Sequence, residues 1–110
     1  MPKLIAEFCQ NHNGDFELLK KMIGAAAESG ATHGKMQTIF ADTVTYRPQF
    51  EDGLVQNGIV KSIKRPYRDE YDRLKGLEIS YAETEKFIKI CKENSLIPMT
   101  TCFTRHHVNQ

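Results

Sequence analysis

Residues Ile5–Gly14 read IAEFCQNHNG: an apolar run with one carboxylate, Glu7, at its centre, broken at once by an amide- and histidine-rich turn. A short apolar run that stops at a turn signal predicts a strand over Leu4–Cys9. Asn13-Gly14 supplies the turn. A helix is expected next, over Asp15–Ser29, because Phe16, Leu19, Ile23 and Ala26 recur at helical spacing and form one apolar stripe. Asp15 and Glu17 open that helix and Lys20-Lys21 follow, which suits its macrodipole. Gly30 stands where such a helix stops.

Working outward, the second strand is expected over Gly34–Phe40. The segment from Asp42 to Gly76 holds Pro48, Gly53, Gly58 and Pro66 and is dense in charge of both signs from Lys61 to Lys75. It is read as a long excursion with one short helix near Glu70–Lys75. A loop of that length in a compact domain is either functional or a sign of missed elements; the alternative is a solvated charged surface. Ser80-Tyr81-Ala82-Glu83 is a capping-box pattern. A helix to about Asn94 should follow, with Thr84, Phe87, Ile88 and Cys91 on one face. Leu96–Phe103 reads as a third strand, and Thr104-Arg105-His106-His107 as the start of another helix. Strands alternating with helices predict parallel pairing in an α/β layer fold. Three such strands would leave a sheet face bare, so residues 1–110 are expected to be part of something larger.

Composition narrows the class. The 110 residues carry a net charge of +1, which does not suggest a partner such as nucleic acid or a membrane surface. No apolar run approaches the roughly 18–20 residues of a membrane span, and MPKLIAEF lacks the apolar core of a signal peptide. Cys9, Cys91 and Cys102 are odd in number with no CxxC spacing. They read as reduced thiols of a cytoplasmic protein rather than a disulfide framework or zinc site.

Chemistry concentrates at the three expected strand ends. The first carries Glu7 and then Asn11-His12-Asn13. The second carries Lys35 and Gln37, and the third Thr100-Thr101 followed by Thr104-Arg105. Strand side chains alternate, so Lys35 and Gln37 share a face while Met36 and Thr38 take the other. In parallel α/β folds the carboxyl ends of the strands form the ligand site. A strand lysine needs an anion, either Glu7 or a ligand. Lysine, hydroxyls and arginine together suit a phosphate or carboxylate. Glu7 can pair with Lys35 or act on a proton, and Gln37 offers a donor and an acceptor to sugar hydroxyls. Bland readings stand beside these. Glu7–Lys35 can be a structural ion pair, and Thr100-Thr101 is ordinary strand composition. His12 can serve only the turn, and His106-His107 read as surface histidines. Cys9 and Cys102 read as small buried fillers.

The combination of IAEFCQNHNG, an acid-started helix, GKMQT and then TTCFTR resembles the sialic acid synthase family, which includes the N-acetylneuraminate, legionaminate and pseudaminate synthases. EYDRLKGLEIS before a capped helix adds to the likeness. The resemblance implies the first three βα units of an incomplete (β/α)8 TIM barrel. It implies a parent that condenses phosphoenolpyruvate with an N-acetylated amino sugar such as N-acetylmannosamine, giving a nonulosonic acid and phosphate. It further implies a divalent metal, manganese or magnesium, whose ligands lie outside this chain, and a homodimeric full-length parent. Lys35 would contact phosphoenolpyruvate and Thr101 would also hold it. Gln37 would contact the sugar, and Glu7 would sit beside the reacting carbons. Asn11, His12 and Asn13 match the turn motif, and Arg105 stands in the family's strand-end pattern. The sequence departs from that pattern at Cys102, in place of the usual proline, and at His33-Gly34 before Lys35. An asparagine of the family's excursion has only Arg65 or Asn57 near its place.

The isolated chain is therefore expected to be inactive. Two other readings stay open. One is a non-catalytic fragment or split subunit that needs a partner chain. The other is a different sugar-acting barrel enzyme, an isomerase or an aldolase using Lys35 as a Schiff base.

Overall fold

The computed structural model describes residues 1–109 and divides into two units, Met1–Ile39 with Leu77 onward, and Phe40–Gly76. In the first unit the chain runs β1 (Ile5–Cys9), α1 (Phe16–Glu28) and β2 (His33–Thr38). The second unit adds β3 (Leu54–Gln56), β4 (Ile59–Ser62) and α2 (Tyr67–Lys75). The first unit then resumes with α3 (Tyr81–Glu93), β5 (Ile97–Cys102) and the short α4 (Arg105–Val108).

Each helix of the first unit starts where the local chemistry directs. The Asp15 carboxylate accepts the backbone N–H groups of Glu17 and Leu18 at 2.9 and 3.2 Å, satisfying two donors that no turn of α1 can reach. Gly30, at φ +89°, turns the chain out of the helix in a conformation that other residues resist. The Ser80–Glu83 capping box forms in full, with reciprocal bonds of 3.1 Å in each direction.

The sheet is parallel in the order β1–β2–β5. One of its faces is packed. Phe8 from β1 and Met36 from β2 meet Leu19 and Ile23 of α1, Phe87 and Cys91 of α3, and the flanking Ile79 and Leu96. Fully burying side chains of this size contributes roughly 1.5–3 kcal/mol each, so this layer is the main source of the unit's stability. Phe16 and Ala26 of the expected stripe pack at its margin. Gly34 explains its own place in β2. A Cβ there would lie 3.0 Å from the Phe8 ring and 3.4 Å from Cys91 Sγ and Leu96 Cδ1. The residue that departs from an aliphatic strand pattern is the one that lets β1 and α3 close over β2.

The other face is open within this unit. Ile5 and Ile97 are 52% and 57% exposed. Along β2, His33, Lys35 and Gln37 are half-buried while Gly34, Met36 and Thr38 are buried. An all-parallel sheet is normally covered on both faces.

Several expectations need correction. The segment 42–76 holds more than one short helix. Two 3₁₀ turns, Ala41–Thr43 and Pro48–Phe50, precede the antiparallel β3–β4 hairpin, and α2 begins at Tyr67 rather than near Glu70. The missed signal was Asn57-Gly58 between two apolar pairs. Both residues take positive φ, +51° and +74°, which a two-residue hairpin turn requires. Ile88 is 37% exposed, so it lies off the buried face of α3. The second strand runs His33–Thr38, not Gly34–Phe40. No helix among the described residues is long and apolar enough to cross a membrane.

Candidate functional site

The site begins at the middle of the sheet. Register sets Glu7 opposite Lys35 and Gln37 opposite Thr101. Because side chains alternate, Glu7, Lys35, Gln37 and Thr101 share the open face. Lys35 Nζ donates to Glu7 Oε2 at 2.9 Å, with side chains 28% and 34% exposed respectively. The other Glu7 oxygen, Oε1, accepts the backbone N–H of Cys9 at 3.0 Å.

That second bond depends on an irregularity in the strand. The pairing jumps from Glu7–Lys35 to Cys9–Met36, which leaves Phe8 as the extra residue of a bulge. Cys9 takes φ +51°, an uncommon conformation for a residue other than glycine. The bulge therefore keeps Phe8 in the core and brings the Cys9 N–H onto the carboxylate. Burial pushes the Glu7 pKa up. The Lys35 hydrogen bond, the Cys9 N–H and the Lys35 charge outweigh that and hold it below the usual carboxylate value. The Cys9 thiol is shifted the other way, up, by burial and then by the Glu7 charge. Glu7 is thus an ionised, two-point clamp. Lys35 spends one of its three N–H donors on it, which leaves two for an anion on the open face.

The two threonines of β5 separate. Thr100 Oγ1 lies 2.7 Å from Thr38 Oγ1, and this pair belongs to the helix-covered face. Thr101 faces the same side as Lys35. Asn11, Asn13 and Arg105 are exposed in the segments that follow β1 and β5, at the carboxyl ends of those strands. Among the described residues their side chains make no hydrogen bond to the Glu7–Lys35 pair.

His12 serves the turn and His106 lies at the surface, as expected, while His107, Cys9 and Cys102 depart from expectation. His12 is fully buried. Its Nδ1 accepts the Gly14 N–H at 2.9 Å, while Nε2 meets no acceptor among the described residues. Burial lowers the His12 pKa, opposed by the Glu83 charge, so the ring is held neutral. Gln10 Nε2, two residues earlier, is likewise buried without an acceptor. His107 is buried rather than at the surface, with Nδ1 2.9 Å from Thr104 Oγ1, whereas His106 is exposed. Cys9 and Cys102 are only half-buried. Cys91 is the cysteine that fills the core, and burial raises its pKa to about 11. Among the described residues no three of His, Cys, Asp and Glu stand together as a metal site.

A family model, the NeuB family, matches residues 22–110. The N,N'-diacetyllegionaminic acid synthase of Legionella pneumophila is 31% identical over 106 residues, covering 96% of this chain and 28% of that protein. The pseudaminic acid synthase of Campylobacter jejuni is 34% identical over 73 residues, 58% of this chain and 21% of that protein. The crystal structure of an N-acetylneuraminic acid (sialic acid) synthetase from Leptospira borgpetersenii, in complex with citrate, superposes with a TM-score of 0.70. Its identity is 22%, over 96% of this chain and 30% of that one, a likeness of fold. The chain spans less than a third of the length of these relatives. With the family model matching residues 22–110, most of its length, the chain belongs to the NeuB family.

Proposed function

We propose that residues 1–110 form the first three βα units of a (β/α)8 barrel, with 42–76 as an excursion between the second strand and the next helix of the sheet layer. The whole protein would condense phosphoenolpyruvate with an N-acetylated amino sugar to give a nonulosonic acid and phosphate. The observation that carries this reading is the 2.9 Å Glu7–Lys35 pair on the open sheet face, in register with Gln37 and Thr101. A face that holds a clamped lysine with unspent donors suits the inside of a barrel that binds an anion.

In this reading Lys35 and Thr101 bind phosphoenolpyruvate. Glu7 fixes the Lys35 ammonium and stands beside the reacting carbons. Gln37 meets the sugar. Asn11, Asn13 and Arg105 form part of the rim. The chain's contribution is positioning and fixed charge, which lower the barrier without reorganisation during the reaction. A divalent metal, manganese or magnesium, would polarise the sugar aldehyde as a Lewis acid, held by residues outside this chain. The full-length protein is proposed to work in the cytoplasm as a homodimer.

The test is to supply the whole protein with phosphoenolpyruvate, Mn²⁺ and N-acetylmannosamine or its 2,4-diacetamido relatives. Stoichiometric phosphate and a nine-carbon acid in the mass spectrum are expected. Phosphate without the acid, or neither product with any of these sugars, would overturn the assignment. The exposed Ile5 and Ile97 favour a second arrangement, in which the remaining barrel is supplied by a partner chain. Co-purification of a second barrel fragment would establish that form.

A further inference from the structure

We propose that the unit Phe40–Gly76 carries an anion site of its own, built on Arg47 and Arg65 and suited to the phosphate group of a small ligand. The two arginines line one cleft with Thr45, Tyr67 and Glu70, about 250 Å³ counting the solvent-filled space at its mouth. Its enclosed part holds little more than a water-sized group, so an anion would sit at the mouth, where both arginines are exposed.

Arg47 is held by its side chain and Arg65 by its backbone, and among the described residues neither pairs with a carboxylate. The Arg47 guanidinium stacks over the Phe50 ring, 4.4 Å from its centroid. The Arg65 backbone N–H donates to the Phe50 carbonyl at 2.7 Å, tying the two arginines to one 3₁₀ turn. Tyr67 is fixed beside them, its N–H donating to Glu51 Oε1 at 2.7 Å and its ring packed edge-on against Tyr46. The carboxylate in the cleft is already engaged. Glu70 takes a two-point grip from Arg73, at 2.7 and 3.0 Å. Its pKa is held low first by that hydrogen bond, against burial, and then by the charges of Arg73, Arg65 and Arg47. Among the described residues no carboxylate lies within 4.0 Å of the Arg47 or Arg65 guanidinium. Two forked donors converge on the cleft, and the one acid there is spoken for. Thr45 and Tyr67 line the same cleft, and paired guanidinium groups are the pattern that recognises phosphate oxygens.

The inference does not depend on the barrel reading, since it concerns a different unit and different residues. If that reading holds, the phosphate is that of a phosphorylated sugar, and phosphoenolpyruvate, assigned to Lys35 and Thr101, is the control ligand. The experiment follows the Arg Nε–H NMR signals of the full chain while inorganic phosphate is added. Arg47 and Arg65 should shift together and saturate. Affinity should fall about tenfold or more in Arg47→Gln and in Arg65→Gln, and by less in Arg65→Lys, which keeps the charge but loses the fork. Lys35→Ala should leave these shifts unchanged. Titration with a hexosamine 6-phosphate, the unphosphorylated sugar and phosphoenolpyruvate then separates the sources: the ligand whose affinity drops in Arg65→Gln is the one whose phosphate the cleft holds. Absence of shifts at both arginines, or equal phosphate affinity in wild type and Arg47→Gln/Arg65→Gln with the backbone spectrum otherwise intact, would overturn the proposal.

Discussion

Lys35 is the residue on which the proposed chemistry turns. Its side chain is mostly shielded yet lies on an open face, and its one carboxylate partner is itself pinned by the Cys9 N–H. Lys35→Ala in the full-length protein is expected to lower the kcat/KM of the proposed reaction about a hundredfold or more with an unchanged circular dichroism spectrum. Turnover near normal would make the pair structural. His12 makes a separate prediction. Its folded pKa lies below the ordinary value of about 6.5, so the unfolded chain binds more protons as the pH falls through that value. Its contribution to stability is present above the unfolded pKa and is lost on acidification toward the folded one. The His12 ring should titrate by NMR below about 6.5, and the urea midpoint should fall as the pH drops below that value. A His12 pKa at or above the ordinary value would show that the buried ring is not neutral as placed.

At the scale of elements, β2 is the strand that both packs and presents. Its buried face depends on Gly34, whose missing side chain admits Phe8, Cys91 and Leu96. Gly34→Val should overpack this layer and cost about 1–3 kcal/mol, read as a lower urea midpoint with an unchanged slope. A neutral result would mean that β1 and α3 can move apart freely. α3 rests on a different kind of support, the Ser80–Glu83 box. Ser80→Ala should cost about 1 kcal/mol, since the Glu83 N–H loses the hydroxyl that accepts it. In the second unit, Asn57-Gly58 holds the hairpin turn and Tyr71 and Lys75 of α2 reach Asp42 at 2.6 and 3.6 Å. These local bonds are why a charge-dense stretch is ordered.

For the molecule as a whole, the open sheet face governs behaviour. Three strands do not close a barrel, and the exposed Ile5 and Ile97 are unfavourable in water. The 110-residue chain alone should release no phosphate from phosphoenolpyruvate with sugar and Mn²⁺, and should bind an apolar dye. Phosphate release by the isolated chain would refute the division of labour proposed for the rest of the protein.

What the sequence by itself determined were features with a short period or a local cap. The α1 stripe, the Asp15 and Ser80 caps, the parallel βα alternation, and Lys35 with Gln37 on one face all follow from repeats of 3.6 and 2.0 residues. The candidate set Glu7, Lys35, Gln37 and Thr101 could be named, but not its order in space. Only the tertiary structure decided that Glu7 stands opposite Lys35 and that Thr101 rather than Thr100 shares their face. The same holds for the burial of His12 and His107, and for the convergence of Arg47 and Arg65 on one cleft. The reason is physical. Register, a bulge and close packing join residues far apart in the chain, and no local pattern encodes which of two adjacent polar residues a distant neighbour will meet.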